Sequence, residues 1–149
     1  MHFKGEFHNS IDAKGRVSIP AAFREMLFSV YEGEVLKVAK NVAGPGLRAY
    51  PLKVWARIEE TFQTLSPGSQ RESMMRSLIS PAIDCTFDSQ GRIQLSQSLR
   101  VYAALEKDVV IVGMHDKIEI WSQGRHAERS AQDAAELKQS LQNAYEIGF

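Results

Sequence analysis

Cysteine is almost absent from this sequence: Cys85 stands alone among 149 residues. A lone thiol excludes an intrachain disulfide and fits a reducing compartment, where it reads as a small buried hydrophobe in a strand. Long apolar runs are missing as well, none approaching the ~20 residues that span a bilayer. The first sixteen residues, MHFKGEFHNSIDAKGR, are polar and lack the apolar segment of a signal peptide. Net charge is also missing, because 18 Lys and Arg balance 18 Asp and Glu. The histidines, His2, His8, His115 and His126, show no metal-binding spacing, and no Cys-x-x-Cys is possible. Neither a Gly-x-Ser-x-Gly elbow nor a phosphate-cradling glycine loop occurs. With 44% apolar and 24% charged residues the chain is too hydrophobic for disorder. Together these observations predict a cytoplasmic globular protein that is not an enzyme, has no cofactor, metal or small-molecule substrate, and makes no membrane contact.

What the sequence does contain is a repeat. Asp12-Ala-Lys-Gly-Arg16-Val-Ser-Ile returns 76 residues later as Asp88-Ser-Gln-Gly-Arg92-Ile-Gln-Leu. The same offset joins Phe23 to Leu99 and Arg24 to Arg100. A looser echo links Val35–Val38 to Val109–Val112 and Leu47–Tyr50 to Ile118–Trp121. Halves of this size bury little surface alone, so they are expected to share one core.

Each half reads as strand, tight turn, strand, short helix, strand, loop, strand, longer helix. Phe7–Ile11 and Ile83–Phe87 enter the turns, and Val17/Ile19 and Ile93/Leu95 leave them with period-2 alternation. Pro20 suits a first helical turn, followed by Phe23, Met26 and Leu27 on one face. Ser96 is a natural N-cap for the matching helix with Leu99, Tyr102 and Ala103. Pro51 opens a helix bearing Val54, Trp55, Ile58, Phe62 and Leu65. After Ser66-Pro67 a second helix with Met74, Met75, Leu78 and Ile79 ends before Pro81. Ser122 caps a single last helix running towards Tyr145, with Leu137 and Leu141 as its clearest apolar pair. Trp55, Trp121 and the Met pair read as core or subunit contacts. The expected division is a first repeat at 1–65, a linker helix at 66–82, and a second repeat at 83–149.

The repeated turn has a physical logic. The carboxylates of Asp12 and Asp88 can accept backbone N–H groups a few residues on, closing an Asx-type turn. Gly15 and Gly91 can take positive φ without a Cβ penalty. Arg16 and Arg92 then begin the outgoing strands at the lip of the hairpin, beside Lys14 in one copy and Gln90 in the other. A turn alone needs neither the cations nor their twin placement. A two-stranded ribbon can enter the major groove, where arginine grips guanine O6 and N7 and lysine serves phosphate. Residues 1–24 supply a local excess of base: Lys4, Lys14, Arg16 and Arg24 against Glu6 and Asp12.

The chain resembles the MraZ family of transcriptional regulators, within the AbrB/MazE/MraZ-like group of swapped-hairpin DNA binders. The matching residues are Phe3-x-Gly5, Asp12-Ala-Lys-Gly-Arg16-Val-Ser-Ile-Pro20, Tyr50-Pro51-Leu52-x-x-Trp55, Asp84-Cys85 before Asp88-x-x-Gly-Arg92-Ile, and Glu119-x-Trp121. They span nearly the whole chain in the family's order. The resemblance implies an α+β, β-rich fold: two tandem swapped-hairpin modules forming an intrachain pseudo-dimeric β-barrel with peripheral helices. It also implies a ring-shaped homo-oligomer, associated with the nucleoid, that binds short direct repeats of double-stranded DNA upstream of its own division and cell-wall operon. The DNA-binding positions it implies are Lys14, Gly15, Arg16, Gln90 and Arg92, structured by Asp12, Asp88 and Gly91. Because Gln90 replaces the lysine, the first tip is expected to dominate.

Two rival readings remain open. Asp12 and Asp88 could form a carboxylate pair for acid–base chemistry, in which case one of them should titrate high, whereas turn aspartates titrate low. Alternatively the chain is an antitoxin-like protein-interaction module with no specific DNA target. Steep loss of binding with salt separates that case, since phosphate contacts release counterions.

Overall fold

A computed structural model describes residues 2–149. The strands are β1 (Glu6–Ser10), β2 (Arg16–Ser18), β3 (Val35–Asn41), β4 (Gly46–Pro51), β5 (Ile83–Thr86), β6 (Arg92–Gln94), β7 (Asp108–Gly113) and β8 (Ile118–Ser122). The helices are α1 (Ala21–Tyr31), α2 (Leu52–Gln63), α3 (Ser69–Met74), α4 (Gln97–Ala103), α5 (Gln123–Gln139) and α6 (Leu141–Glu146). A π-helical turn, Met75–Ile79, prolongs α3. The class is α+β, as the sequence predicts.

Six strands form one antiparallel sheet in the order β1-β7-β8-β4-β3-β5, and β2 pairs with β6 as a separate ribbon. Exchanging the two halves of the chain simply reverses this order. β1 pairs with β7 of the second half, with Phe7 opposite Ile111, and β5 pairs with β3 of the first, with Cys85 opposite Leu36. The entering and leaving strands of a turn thus part company, and in the first half the isolated bridge Ile11–Val17 and the bond from Asn9 Nδ2 to Ser18 O still tie them together. This corrects the expected barrel. The short leaving strands bond to each other, so β1 and β5 stay as sheet edges and, among the described residues, no closed barrel forms.

The core lies between the ribbon, the sheet and the short helices. Val17 and Ile93 face each other across the ribbon and are fully buried, as are Leu36, Val38, Ile111, Ile118 and Ile120 of the sheet. Each such side chain contributes roughly 1.5–3 kcal/mol by leaving water. α1 starts at Pro20, whose φ of −52° suits a helix entry, and buries Phe23 and Leu27 one turn apart. α4 starts where Ser96 accepts the amide N–H of Leu99, and buries Leu99 and Ala103. Both helices end on a left-handed residue, Glu32 and Ala104, which turns the chain sharply into β3 and β7.

The far end of the sheet explains the Glu-x-Trp spacing. Glu119 and Trp121 alternate onto one face of β8, and buried Glu119 accepts from Arg48 Nε (3.1 Å), Asn41 Nδ2 (3.0 Å) and Trp121 Nε1 (3.1 Å). A Cβ at Gly44 or Gly46 would fall 2.9 Å from the Trp121 ring, so the glycine-rich 43–46 loop makes room for the indole. Pro51 caps α2 as expected, and Trp55 is buried with its indole N–H on Glu59 Oε1 at 2.7 Å. The last helix differs from expectation. Its apolar spacing runs on through Leu137, Leu141 and Tyr145, but the backbone breaks at Ser140 (φ −124°, ψ 27°) and separates α5 from α6.

Candidate nucleic-acid interface

The two Asp-x-x-Gly-Arg segments fold the same way. Asp12 Oδ1 accepts the amides of Lys14 (3.0 Å) and Arg16 (2.9 Å), and Asp88 Oδ1 those of Gln90 (2.9 Å) and Arg92 (3.0 Å). Each turn is closed by a glycine N–H on the aspartate carbonyl at 3.0 Å, with Gly15 at φ +81° and Gly91 at φ +76°. That left-handed geometry is why glycine is required. The second carboxylate oxygen aims the arginine. Arg16 Nε donates to Asp12 Oδ2 at 2.7 Å and Arg92 Nε to Asp88 Oδ2 at 2.9 Å, both charge-assisted bonds.

These bonds fix the acidity of both aspartates. The Arg16 backbone N–H holds the Asp12 carboxyl below the ordinary aspartate value of 3.8, outweighing partial desolvation. The Arg92 backbone N–H does the same for Asp88. Both shifts run opposite to that of a catalytic acid, which must hold its proton near neutrality. The aspartates act as structural anions.

The ribbon turns one face outward. Val17 and Ile93 point into the core, so their neighbours Arg16, Ser18, Arg92 and Gln94 alternate to the other side. Arg16 stands opposite Gln94 and Ser18 opposite Arg92, which sets the two arginines on a diagonal about 7 Å apart along the strands. A turn lies at each end, with Lys14 and Gln90 exposed at the tips. The turns also touch across the repeats: Leu95 N–H donates to Gly15 O (2.8 Å), Ile19 N–H to Gly91 O (3.1 Å), and Gln94 Nε2 to Lys14 O (3.0 Å). Of the positions singled out in the sequence, Asp12, Lys14, Arg16, Asp88, Gln90 and Arg92 lie on this one surface, and Gly15 and Gly91 are buried within the turns that carry it.

Four further residues join it. Ser18 and Gln94 share the outward face, and their strand alternation was the available signal. Arg24 and Arg100 lie against Gly91 and Gly15 respectively, a long-range contact whose only trace in the sequence is their shared 76-residue offset. With these, five cations and two carboxylates occupy the surface. Among the described residues no cluster of His, Cys, Asp or Glu could hold a metal, and no helix is long and apolar enough to cross a membrane.

Residues 78–146 match the family model described as "MraZ protein, putative antitoxin-like". A "Transcriptional regulator MraZ" from Syntrophotalea carbinolica is 47% identical over the full length of both chains. The chain belongs to the MraZ family. Other MraZ relatives of the same name include one from Desulfitobacterium hafniense, 42% identical with 95% of this chain and 97% of the relative covered, and one from Geobacter sulfurreducens, 37% identical over 99% of each.

Proposed function

We propose that this protein is a sequence-specific DNA-binding transcriptional regulator that reads short direct repeats upstream of its own operon with the outward face of the β2–β6 ribbon. The observation that carries the reading is the pair of arginines, each fixed by its own aspartate, on one exposed two-stranded ribbon. Such a ribbon fits a major groove ~12 Å wide, and a fixed guanidinium suits bidentate contact with guanine. Arg16 and Arg92 are the base readers, Lys14 serves phosphate, and Gln90 is a weaker polar contact. Gly15, buried behind the tip, contributes the tight turn that presents Lys14 and Arg16, while Asp12, Asp88 and Gly91 hold the shape. Residues 1–65 and 83–149 are the duplicated modules, forming a swapped pseudo-dimer within one chain, and 66–82 links them.

One head of this size holds DNA weakly, on the order of 10⁻⁴–10⁻⁶ M for non-specific contact. A ring of copies converts later contacts into intramolecular ones and gains on the order of 10²–10⁴. Zero net charge opposes self-assembly little. Unpartnered apolar surface supports it: a groove of about 630 Å³ between α2 and the π-helical turn, lined by Trp55, Ile58, Phe62, Leu65 and Leu78, and the exposed stripe Leu137, Leu141 and Tyr145. Such a regulator works in the cytoplasm on the nucleoid.

In a gel shift with DNA from upstream of its reading frame, Arg16→Ala should weaken specific binding by up to about 100-fold per head and leave the oligomer, sized by light scattering, intact. Unchanged affinity in that variant refutes the proposal. The antitoxin-like interaction module is favoured by the same apolar groove. It predicts binding to a protein partner with little salt dependence, where the DNA reading predicts a steep fall.

A further inference from the structure

Gly15 and Gly91 do more than permit a left-handed turn. Both are buried, and a Cβ on Gly15 would lie 2.6 Å from Nε of Arg100, while a Cβ on Gly91 would lie 2.5 Å from Cζ of Arg24. Each glycine therefore leaves the space in which a guanidinium lies against the turn. The arrangement is crossed. Arg24 belongs to α1, which follows the first turn, yet it packs on the second; Arg100 belongs to α4, which follows the second, yet it packs on the first. The Leu95–Gly15 and Ile19–Gly91 backbone bonds cross between the repeats in the same sense.

The two arginines are also unusual in what they leave unused. Both are half-buried, and among the described residues neither forms a salt bridge, although arginines so placed are normally spent on carboxylates. Arg24 Nε donates to Ile19 O at 3.2 Å, and Ile19 N–H donates to Gly91 O, so Arg24 closes a loop of contacts around the second turn. Arg100 Nε is shielded from solvent and has no acceptor. Its place is set by packing against Gly15 rather than by a bond of its own.

We propose that Arg24 and Arg100 are positioning residues that brace the opposite repeat's turn, so that the two tips form one rigid reading head rather than two independent hairpins. The proposal rests on the DNA-binding reading for its consequence but not for its geometry. Arg100 holds the turn that presents Lys14 and Arg16; Arg24 holds the turn that presents Gln90 and Arg92.

The crossing gives a test that works on the full-length protein without DNA. Hydrogen–deuterium exchange followed by mass spectrometry reads the amides of 12–16 and 88–92 separately. Arg100→Ala should speed exchange at 12–16 roughly five- to tenfold, the loss expected for one weakened hydrogen bond, and leave 88–92 unchanged. Arg24→Ala should do the reverse. Arg100→Lys and Arg24→Lys keep the charge and the apolar stem, protecting the fold, and should still give the crossed pattern because an ammonium cannot lie flat on the turn. Exchange that rises in the arginine's own repeat, in both turns equally, or in neither overturns the proposal.

On DNA, Arg100→Ala should add much less to the loss from Arg16→Ala, only the share carried by Lys14, than to the loss from Arg92→Ala, where the two losses multiply. Equal multiplication in both pairs would make Arg100 a direct phosphate contact and overturn bracing as its role. If the crossed exchange pattern holds but the wild-type protein ignores DNA, the bracing stands and the DNA reading alone falls.

Discussion

The turns at 12–16 and 88–92 share a backbone and differ in their charges. Asp-to-amide bonds, the glycine at positive φ and the aimed arginine agree to within a few tenths of an ångström. The surroundings diverge. Lys14 at the first tip becomes Gln90 at the second. Arg92 also approaches the other repeat's carboxylate, its Nη1 lying 3.9 Å from Asp12 Oδ2, so its charge is shared between two anions. Arg16 has one anion and is the more exposed of the two, 34% against 24%. Arg24, beneath the second turn, is bonded; Arg100, beneath the first, is not. Geometry is what the fold needs from both copies, and available charge is what distinguishes them. The first tip keeps more unshared positive charge, and the second is more completely satisfied within the protein.

The largest expected effect breaks this comparison directly. Removing a base-reading arginine costs about 1–3 kcal/mol per head, roughly 10- to 100-fold, and Arg16→Ala should fall at the upper end with Arg92→Ala at the lower. Quantitative gel shifts decide it, and equal losses would mean that the extra carboxylate near Arg92 is irrelevant. Next, Gln90→Lys should restore symmetry, steepening the logarithmic salt dependence of binding by about one unit per head. Lys14→Ala should shallow it by a similar amount, and a slope that ignores both variants would remove the tips from the phosphate contact.

A smaller effect concerns pH and tests what the turns share. Because both aspartates are held below 3.8, their hydrogen bonds stabilise the fold above that value and are lost only as pH falls through the depressed native values. Carboxyl chemical shifts for Asp12 and Asp88 should therefore titrate below 3.8, and a midpoint above it for either would contradict the turn geometry. The smallest effect lies one strand earlier. Asn9 and Cys85 occupy equivalent places, Asn9 Nδ2 donating to Ser18 O at 2.8 Å and Cys85 Sγ lying 3.5 Å from Gln94 O. Burial, with Asp84 adding to it, pushes the Cys85 thiol up to about 12. The native protein should resist thiol reagents at neutral pH and react once unfolded. Rapid labelling of the folded protein would place Cys85 outside the core.

Much of this was legible in the residues. Period-2 alternation at Val17/Ile19 and Ile93/Leu95 located the ribbon strands, and Asp-x-x-Gly-Arg chemistry located the turns, because both depend on neighbours in sequence. Pro20, Pro51, Ser96 and Ser122 marked helix starts for the same local reason. Strand order was harder. Val35–Val38 and Val109–Val112 are interchangeable apolar runs, and nothing in either states which edge strand it will pair with. Arg24 and Arg100 carry no local signature of a site residue, because a guanidinium on a distant glycine leaves no pattern among its sequence neighbours. The break at Ser140 was hidden by apolar spacing that continues unbroken across it.

The central claim, that fixed arginine turns multiplied by assembly hold operator DNA, is tested most directly by footprinting the purified protein on the DNA immediately upstream of its reading frame at low ionic strength. The account predicts discrete protected repeats recurring at about one helical turn, ~10 base pairs apart. An unprotected upstream region, or uniform coverage indifferent to sequence, would contradict it.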